Sequence, residues 1–162
     1  MSVQKVREAL QNWRLESRVR EFTISSATVE EAALAVGCEP SRIAKTMSFL
    51  VDGKAALIVM AGDAKISNPK FKSFFHQKAA MIPSEKVREY TGFVPGGVCP
   101  FAVPEGVTVY LDESLKRFDI VYPSGGNPQS AVELTLTELW SASRAKCWVD
   151  VSRLPESSEV PE

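Results

Sequence analysis

This chain of 162 residues predicts an α+β domain, with a mixed, mainly antiparallel sheet that curls toward a barrel and is surrounded by short helices. Three observations carry that expectation. Two apolar runs, Thr46 to Val51 and Lys54 to Ala61, are joined by Asp52-Gly53, the turn chemistry of a tight hairpin. Two capping boxes, Thr28-Val29-Glu30-Glu31 and Thr135-Leu136-Thr137-Glu138, each open a short helix. Further short strand-like segments appear without regular strand-helix-strand alternation, and a sheet of six or more short strands tends to curl.

The elements follow in order. Val3, Val6, Leu10 and Trp13 recur at spacings of three and four after Ser2, so residues 2 to 16 read as an amphipathic helix with Ser2 as N-cap. A short strand is expected at Phe22 to Ile24. The helix opened by Thr28 stops at Gly37, and Pro40-Ser41-Arg42-Ile43 begins another helical turn, with Lys45 at its exit into the hairpin. Ser67-Asn68-Pro69 caps a basic helix with Phe71, Phe74 and Phe75 on its buried side. A strand near Ala80, a helix over Ser84 to Tyr90 ended by Gly92, and strands at Val107 to Leu111, Ile120 to Tyr122 and Ala131 to Leu134 come next. The last of these pairs back across the turn at Ser124 to Ser130. In the helix after Thr135, Leu136, Leu139 and Trp140 face inward, and Cys147 to Val151 closes the sheet. We divide the chain into a domain over residues 1–152 and an acidic, flexible tail over 153–162, whose proline-containing stretch from Pro155 to Glu162 reads as disordered.

Composition narrows the chemistry. A single histidine, His76, leaves no multi-histidine zinc site and allows a serine or cysteine triad only if that residue is the base. It follows an aromatic pair on a basic helix and reads as a surface residue. Cys38, Cys99 and Cys147 are odd in number and lack metal-like spacing, which suits reduced thiols. The N-terminus lacks an apolar signal core and no apolar run approaches the ~20 residues of a membrane helix, so a soluble, cytoplasmic protein is expected. Net charge is only −1, yet Arg42 to Arg88 holds nine Lys/Arg against three Asp/Glu, a surplus of +6 that suits an anionic partner such as a nucleic acid end. Scattered lysines that merely solvate their faces would give the same count.

The segment Gly92-Phe93-Val94-Pro95-Gly96-Gly97-Val98-Cys99-Pro100-Phe101 packs three glycines and two prolines between apolar segments. Proline fixes φ, and glycine leaves its amide unshielded, so such a stiff loop can present N–H groups to an ester, a phosphate or a ribose. A second glycine pair lies in Ser124-Gly125-Gly126-Asn127-Pro128. Lys45 is the candidate cation. Asp63, after Gly62, serves equally well for steering a substrate amine and for forming a turn.

Ala44-Lys45-Thr46 before a hairpin, the Gly92 to Phe101 loop, Asp112-Glu113-Ser114-Leu115, and Ser124-Gly125-Gly126 ahead of Val132-Glu133-Leu134-Thr135 together resemble the YbaK/EbsC family. Those proteins are free-standing relatives of the prolyl-tRNA synthetase editing domain, and the resemblance runs from about Thr23 to Val151. It implies a barrel-like mixed sheet and hydrolysis of the ester joining a wrong amino acid to a tRNA 3′ end, possible cognates including tRNA-Pro. It assigns Lys45 the catalytic role, and substrate contact to Gly96, Gly97 and Pro100 of one loop and Ser124, Gly125 and Gly126 of the other. It implies no metal and no cofactor. The partners it implies are a mischarged tRNA and a synthetase, with no membrane. Relatives of the cysteine-clearing type carry a tyrosine near Phe22 to Ile24 and an aspartate near Ala131. This chain has Thr23, Ile24, Ala131 and Val132 there, a departure from that type, and its Ser25-Ser26-Ala27-Thr28-Val29-Glu30-Glu31 segment resembles broader bacterial branches whose substrates include other small amino acids such as alanine, serine or threonine.

An aminoacyl ester is already activated, so positioned water, an oriented ribose and oxyanion stabilisation suffice, and backbone amides with one cation can supply them. The competing expectation is a non-catalytic module that binds the tRNA acceptor end or a synthetase. A third is hydrolysis of another small ester or thioester.

Overall fold

The computed structural model describes residues 2–155. The expectation for residues 156–162 of the tail lies outside them. Five helices are α1 Ser2–Gln11, α2 Val29–Val36, α3 Asn68–Phe75, α4 Val87–Thr91 and α5 Leu136–Ser143. The strands are β1 Val19–Glu21, β2 Ile43–Val51, β3 Lys54–Ala61, β4 Lys65–Ile66, β5 Thr108–Asp112, β6 Ile120–Pro123, β7 Ser130–Val132, β8 Leu134–Thr135, β9 Cys147–Val149 and β10 Ser152–Arg153.

Six of them form the central sheet in the order β8-β6-β2-β3-β5-β9, a curled mixed sheet of the kind the α+β reading predicts. The β2–β3 hairpin is its spine, running from Ala44↔Ala61 to Val51↔Lys54. Asp52 and Gly53 both take positive φ, 53° and 78°, as the tight turn with matching strand twist requires. β6 runs parallel to β2, with Ile43 opposite Tyr122 and Ala44 opposite Pro123. β5 runs parallel to β3 and to β9. Two small antiparallel ladders, β1–β7 and β4–β10, flank the sheet. The core lies where β3 (Leu57 to Ala61, all buried), Phe71 of α3, Leu111 of β5 and Leu139 of α5 meet α1 through Val6 and Leu10. Removing those side chains from water supplies the main favourable term of folding.

Several expectations shift. α1 ends at Gln11 rather than near residue 16, because Trp13 and Leu15 both donate to Leu10 O and Arg14 takes a positive φ. The first strand lies at Val19–Glu21, three residues before the expected Phe22 to Ile24, since its register with β7 buries Val19 against Val132. Near Ala80 there is only a bridge between Phe49 and Met81. Phe71 and Phe75 are buried, but Phe74 points outward and meets Phe75 and Tyr110 edge-on. Trp140 likewise sits at the surface, stacked on Trp148, while Leu139 is buried. Arg153, placed in the tail by the sequence, belongs to β10.

Candidate active site

A cavity of about 540 Å3 opens between α2, the start of β2, the end of β6 and the loop after Gly92, and Lys45, Gly96 and Ser124 all line it. The convergence follows from the parallel pairing of β2 and β6. Since Ala44 lies opposite Pro123, the next residues along each strand, Lys45 and Ser124, emerge side by side at one end of the sheet. α2 covers the same end through Ala32 and Ala33, packed on Ile43 and Tyr122, and its capping box seats Thr28 at the cavity rim.

Lys45 is the third residue of β2, which follows directly on a 3-10 turn over Pro40–Arg42. Its Nζ donates to Gly62 O (3.2 Å) and Ala64 O (2.5 Å). An ammonium has three N–H donors, so one remains for a ligand. Burial lowers the pKa of this ammonium, Asp63 opposes that shift and Lys65 adds to it. Asp63 is held in a fork by Arg117, Oδ1 to Nη2 at 2.6 Å and Oδ2 to Nη1 at 3.2 Å, an arrangement in which steering a substrate amine would require breaking an ion pair. Gly62 is fixed by close packing: a Cβ there would sit 2.0 Å from Pro40 O.

The loop after Gly92 forms a turn over Val94 to Gly97, with Pro95 second, Gly96 third at φ 85°, and Gly97 N–H donating to Val94 O at 2.9 Å. Proline then a positive-φ glycine is the residue order of a type II turn. Gly96 is exposed at the cavity, whereas Gly97 is buried against Asn127, whose Cα a Cβ would meet at 2.7 Å. In the second loop, Ser124 Oγ accepts from Gly126 N–H (3.2 Å) and donates to Asn127 O (3.4 Å). A Cβ on Gly125 would meet Ser130 Oγ at 2.8 Å. Gly97, Pro100, Gly125 and Gly126 are not among the residues that line this cavity. The amides of Gly97 and Gly126 are already used inside the loops, and the glycines let the two loops touch. Pro100 is buried beside Trp13 and Arg144 in a separate depression.

Sequence reasoning missed several lining residues. Thr46 Oγ1 is buried in the wall with no hydrogen-bond partner among the described residues. Ser48, two residues on, also lines the wall and is buried. Hydroxyls at alternate positions of an otherwise apolar strand were the available signal. Ser26 closes the rim, accepting from Ser130 N–H (2.9 Å) and donating to Ser130 O (3.3 Å). Met47 and Met81 border both this cavity and an adjoining depression of about 280 Å3, and Lys45 stands between the two. Cys99 lies off the cavity, wholly buried, with burial pushing its thiol up to about 12, so it is a packed side chain and no nucleophile. His76 caps the C-terminus of α3, exposed and in the left-handed conformation.

Among the described residues, the cavity lining has one lysine, one tyrosine (Tyr122), several hydroxyls and an apolar majority, with no histidine, cysteine or carboxylate. Such a wall can bind a polar head, stabilise a developing negative charge and measure an apolar group by volume. Among the described residues, Lys45 and Tyr122 are the titratable side chains of this lining.

Residues 24–141 match the family described as the aminoacyl-tRNA editing domain. The chain is 49% identical over 154 residues to the uncharacterized protein YwhH of Bacillus subtilis, covering 94% of this chain and 98% of that one. It is 32% identical over 103 residues to a proline–tRNA ligase of Limosilactobacillus fermentum, 60% of this chain but 18% of the ligase. Among solved structures it is similar to a candidate trans-editing enzyme for prolyl tRNA synthetase, with TM-score 0.83 and 31% identity over 94% of this chain and 97% of that one. It is also similar to the hypothetical protein APE2540, with TM-score 0.77 and 28% identity over 90% and 99% of the two chains. No helix among the described residues is long and apolar enough to cross a membrane.

Proposed function

We propose that this chain, which belongs to the aminoacyl-tRNA editing domain family, is a trans-editing deacylase that hydrolyses the ester of a small amino acid mischarged onto tRNA. The observation that carries this reading is Lys45, anchored by two carbonyls with one donor to spare, at a cavity whose lining, among the described residues, holds no histidine, cysteine or carboxylate. An activated ester is a substrate such a site can handle. Water attacks the carbonyl carbon, the carbonyl oxygen gains negative charge beside Lys45 Nζ, and the ester bond to the ribose breaks. The water's protons end on the ribose oxygen and the released carboxyl, which ionises at neutral pH. With no histidine or carboxylate in the described lining, the proton passes through solvent or the substrate's neighbouring 2′-hydroxyl. Loss of a single oxyanion donor costs about 10² to 10³ in rate.

Ligand cavities run from roughly 300 to 1,000 Å3, so about 540 Å3 suits a terminal aminoacyl ribose and its base. Thr46 Oγ1 gives the polar part of the bound amino acid a partner, and Met47, Ile82 and Val98 bound its side chain. Apolar fit alone discriminates by only about 1 to 3 kcal/mol per methylene. The similarity to proline–tRNA ligases favours a proline-accepting tRNA as carrier.

The test is hydrolysis of proline-accepting tRNA charged with alanine, serine, threonine, cysteine or proline. Selective release of one or more of the non-cognate residues supports the reading. Tight tRNA binding without release would replace it with a non-catalytic acceptor-end module, and release from a simple amino acid ester with no preference for tRNA would replace it with a small-ester hydrolase.

A further inference from the structure

We infer that the β4–β10 ladder beside the cavity is a docking strip for the sugar-phosphate backbone of single-stranded RNA, with Lys65 and Arg153 as its phosphate contacts. The strip rests on the reading of the cavity as the seat of an esterified RNA 3′ end. β4 and β10 pair so that Arg153 stands directly opposite Lys65. Like charges directly opposite one another in a ladder oppose the pairing. Both side chains are exposed, and neither has a hydrogen bond or ion pair among the described residues. The carboxylates nearby are engaged elsewhere: Asp63 by Arg117, Asp150 by Lys70 at 3.0 Å, and Glu113 by Lys116 at 3.2 Å. Among the described residues, the fold thus leaves two facing cations without a counter-charge.

Their place connects them to the site. Lys65 follows Ala64, whose carbonyl holds Lys45 Nζ, and it borders the depression that Lys45, Met47 and Met81 share with the main cavity. The charge of Lys65 reaches Lys45, adding to the lowering of its pKa. Beyond Arg153 the surface continues into a depression of about 470 Å3 whose walls carry Lys70 and Arg117 together with Glu113 and Asp150. A strand leaving the cavity past Lys45 meets Lys65 first and Arg153 across the ladder. A linear anion of regularly spaced single charges fits that line. The local surplus of +6 between Arg42 and Arg88 is therefore partly gathered at one edge of the site by β4 and α3.

The experiment is equilibrium binding of an uncharged proline-accepting tRNA, read by fluorescence anisotropy over a series of salt concentrations. The wild type is compared with Lys65→Gln/Arg153→Gln and with a control of equal charge change, Lys54→Gln/Lys146→Gln. Lys54 lies at the hairpin tip and Lys146 donates its backbone N–H to Val109 O, near the same end of the sheet. Each single-strand phosphate contact contributes about 0.7 to the slope of log K against log salt, so the first double variant should flatten the slope by about 1.4 and the control should not. Thermal melting of both variants verifies folding. An unchanged slope in Lys65→Gln/Arg153→Gln, an equal loss in the control, or a loss confined to binding of polyglutamate would overturn the strip. Hydrolysis of charged tRNA with an unchanged slope refutes the strip alone. Binding that depends on Lys65 and Arg153 with no hydrolysis refutes the deacylase alone. Absence of tRNA binding by the wild type refutes both.

Discussion

Gly97 holds the two glycine loops in contact, and replacing it by alanine should uncouple them. The new Cβ would lie 2.7 Å from Asn127 Cα, with Asn127 C and N at 3.0 and 3.1 Å. Carbon atoms rest at about 3.5 to 4.0 Å, so one loop must retreat by at least about 0.8 Å. Neither can do so freely. Asn127 is tied by Ser130 Oγ–H to Asn127 O (3.1 Å) and by Gln129 N–H to Asn127 Oδ1 (2.8 Å), while Gly97 N–H closes the turn on Val94 O. Overpacking of this kind costs about 1 to 3 kcal/mol. In a chain of this size each kcal/mol moves the melting midpoint by about 2 to 4 °C, so a fall of about 2 to 12 °C is expected. The retreat also displaces Gly96 and Ser124 at the cavity, and a misplacement near 1 Å costs about 10²-fold in rate. Gly106→Ala is the matched control. Gly106 has φ 93° and nothing within 4 Å, so alanine there meets only backbone strain of about 1 to 2 kcal/mol, away from the cavity. Thermal melts and single-turnover hydrolysis well below both midpoints separate the cases. A Gly97→Ala protein that melts with the wild type, or that keeps full activity, would refute the coupling of the loops.

Three further outcomes follow from the same geometry. Lys45 has a folded-state pKa below 10.5, so the unfolded chain binds more protons between those values and stability rises with pH across that window. Its protonated form is the working one, so hydrolysis corrected for the spontaneous reaction should fall as pH rises through a midpoint below 10.5, and Lys45→Arg should move that limb upward. Thr46→Val removes a buried hydroxyl that has no partner, which should leave the melting midpoint equal or higher, because an unsatisfied buried group costs about 1 to 3 kcal/mol. The same variant should raise KM for the charged tRNA, and a lowered midpoint with unchanged KM would contradict the role given to that hydroxyl. Burial pushes the Glu138 carboxyl up, but hydrogen bonds from Thr135 N–H and Arg18 outweigh it and hold the pKa below 4.5. Its contribution is complete above that value and is lost as pH falls through the lower folded value, so Glu138→Gln should destabilise by about 1 kcal/mol at neutral pH and flatten the acid limb of a stability profile.

What was legible in the sequence is what short-range chemistry decides. Asp52-Gly53, the two capping boxes and the glycine stops at Gly37 and Gly92 each encode their own geometry within four residues, and the structure has them there. What depends on distant partners was not legible. β1 is placed by its register with β7, more than a hundred residues away, so propensity at Phe22 to Ile24 pointed three residues too far. Phe74 and Trp140 read as inward from spacing alone, yet Tyr110 and Trp148 give each an aromatic neighbour at the surface. The glycine loops show the same limit at the site. Their composition announced that backbones come close, but not whether the close neighbour was a ligand or the other loop. For Gly97 it is Asn127 of the other loop, for Gly125 it is Ser130 at the end of its own turn, and Gly96 and Ser124 are left facing the cavity. Thr46 went unnoticed because its significance lies in a bond it does not make.

Single-turnover hydrolysis of mischarged proline-accepting tRNA by the wild type, Lys45→Ala and Lys45→Arg tests the central claim most directly. The account predicts release of a small amino acid by the wild type, a loss of about 10² to 10³ in rate for Lys45→Ala at saturating protein, and partial recovery in Lys45→Arg. Equal rates in all three proteins would contradict it, because the oxyanion would then be stabilised without Lys45.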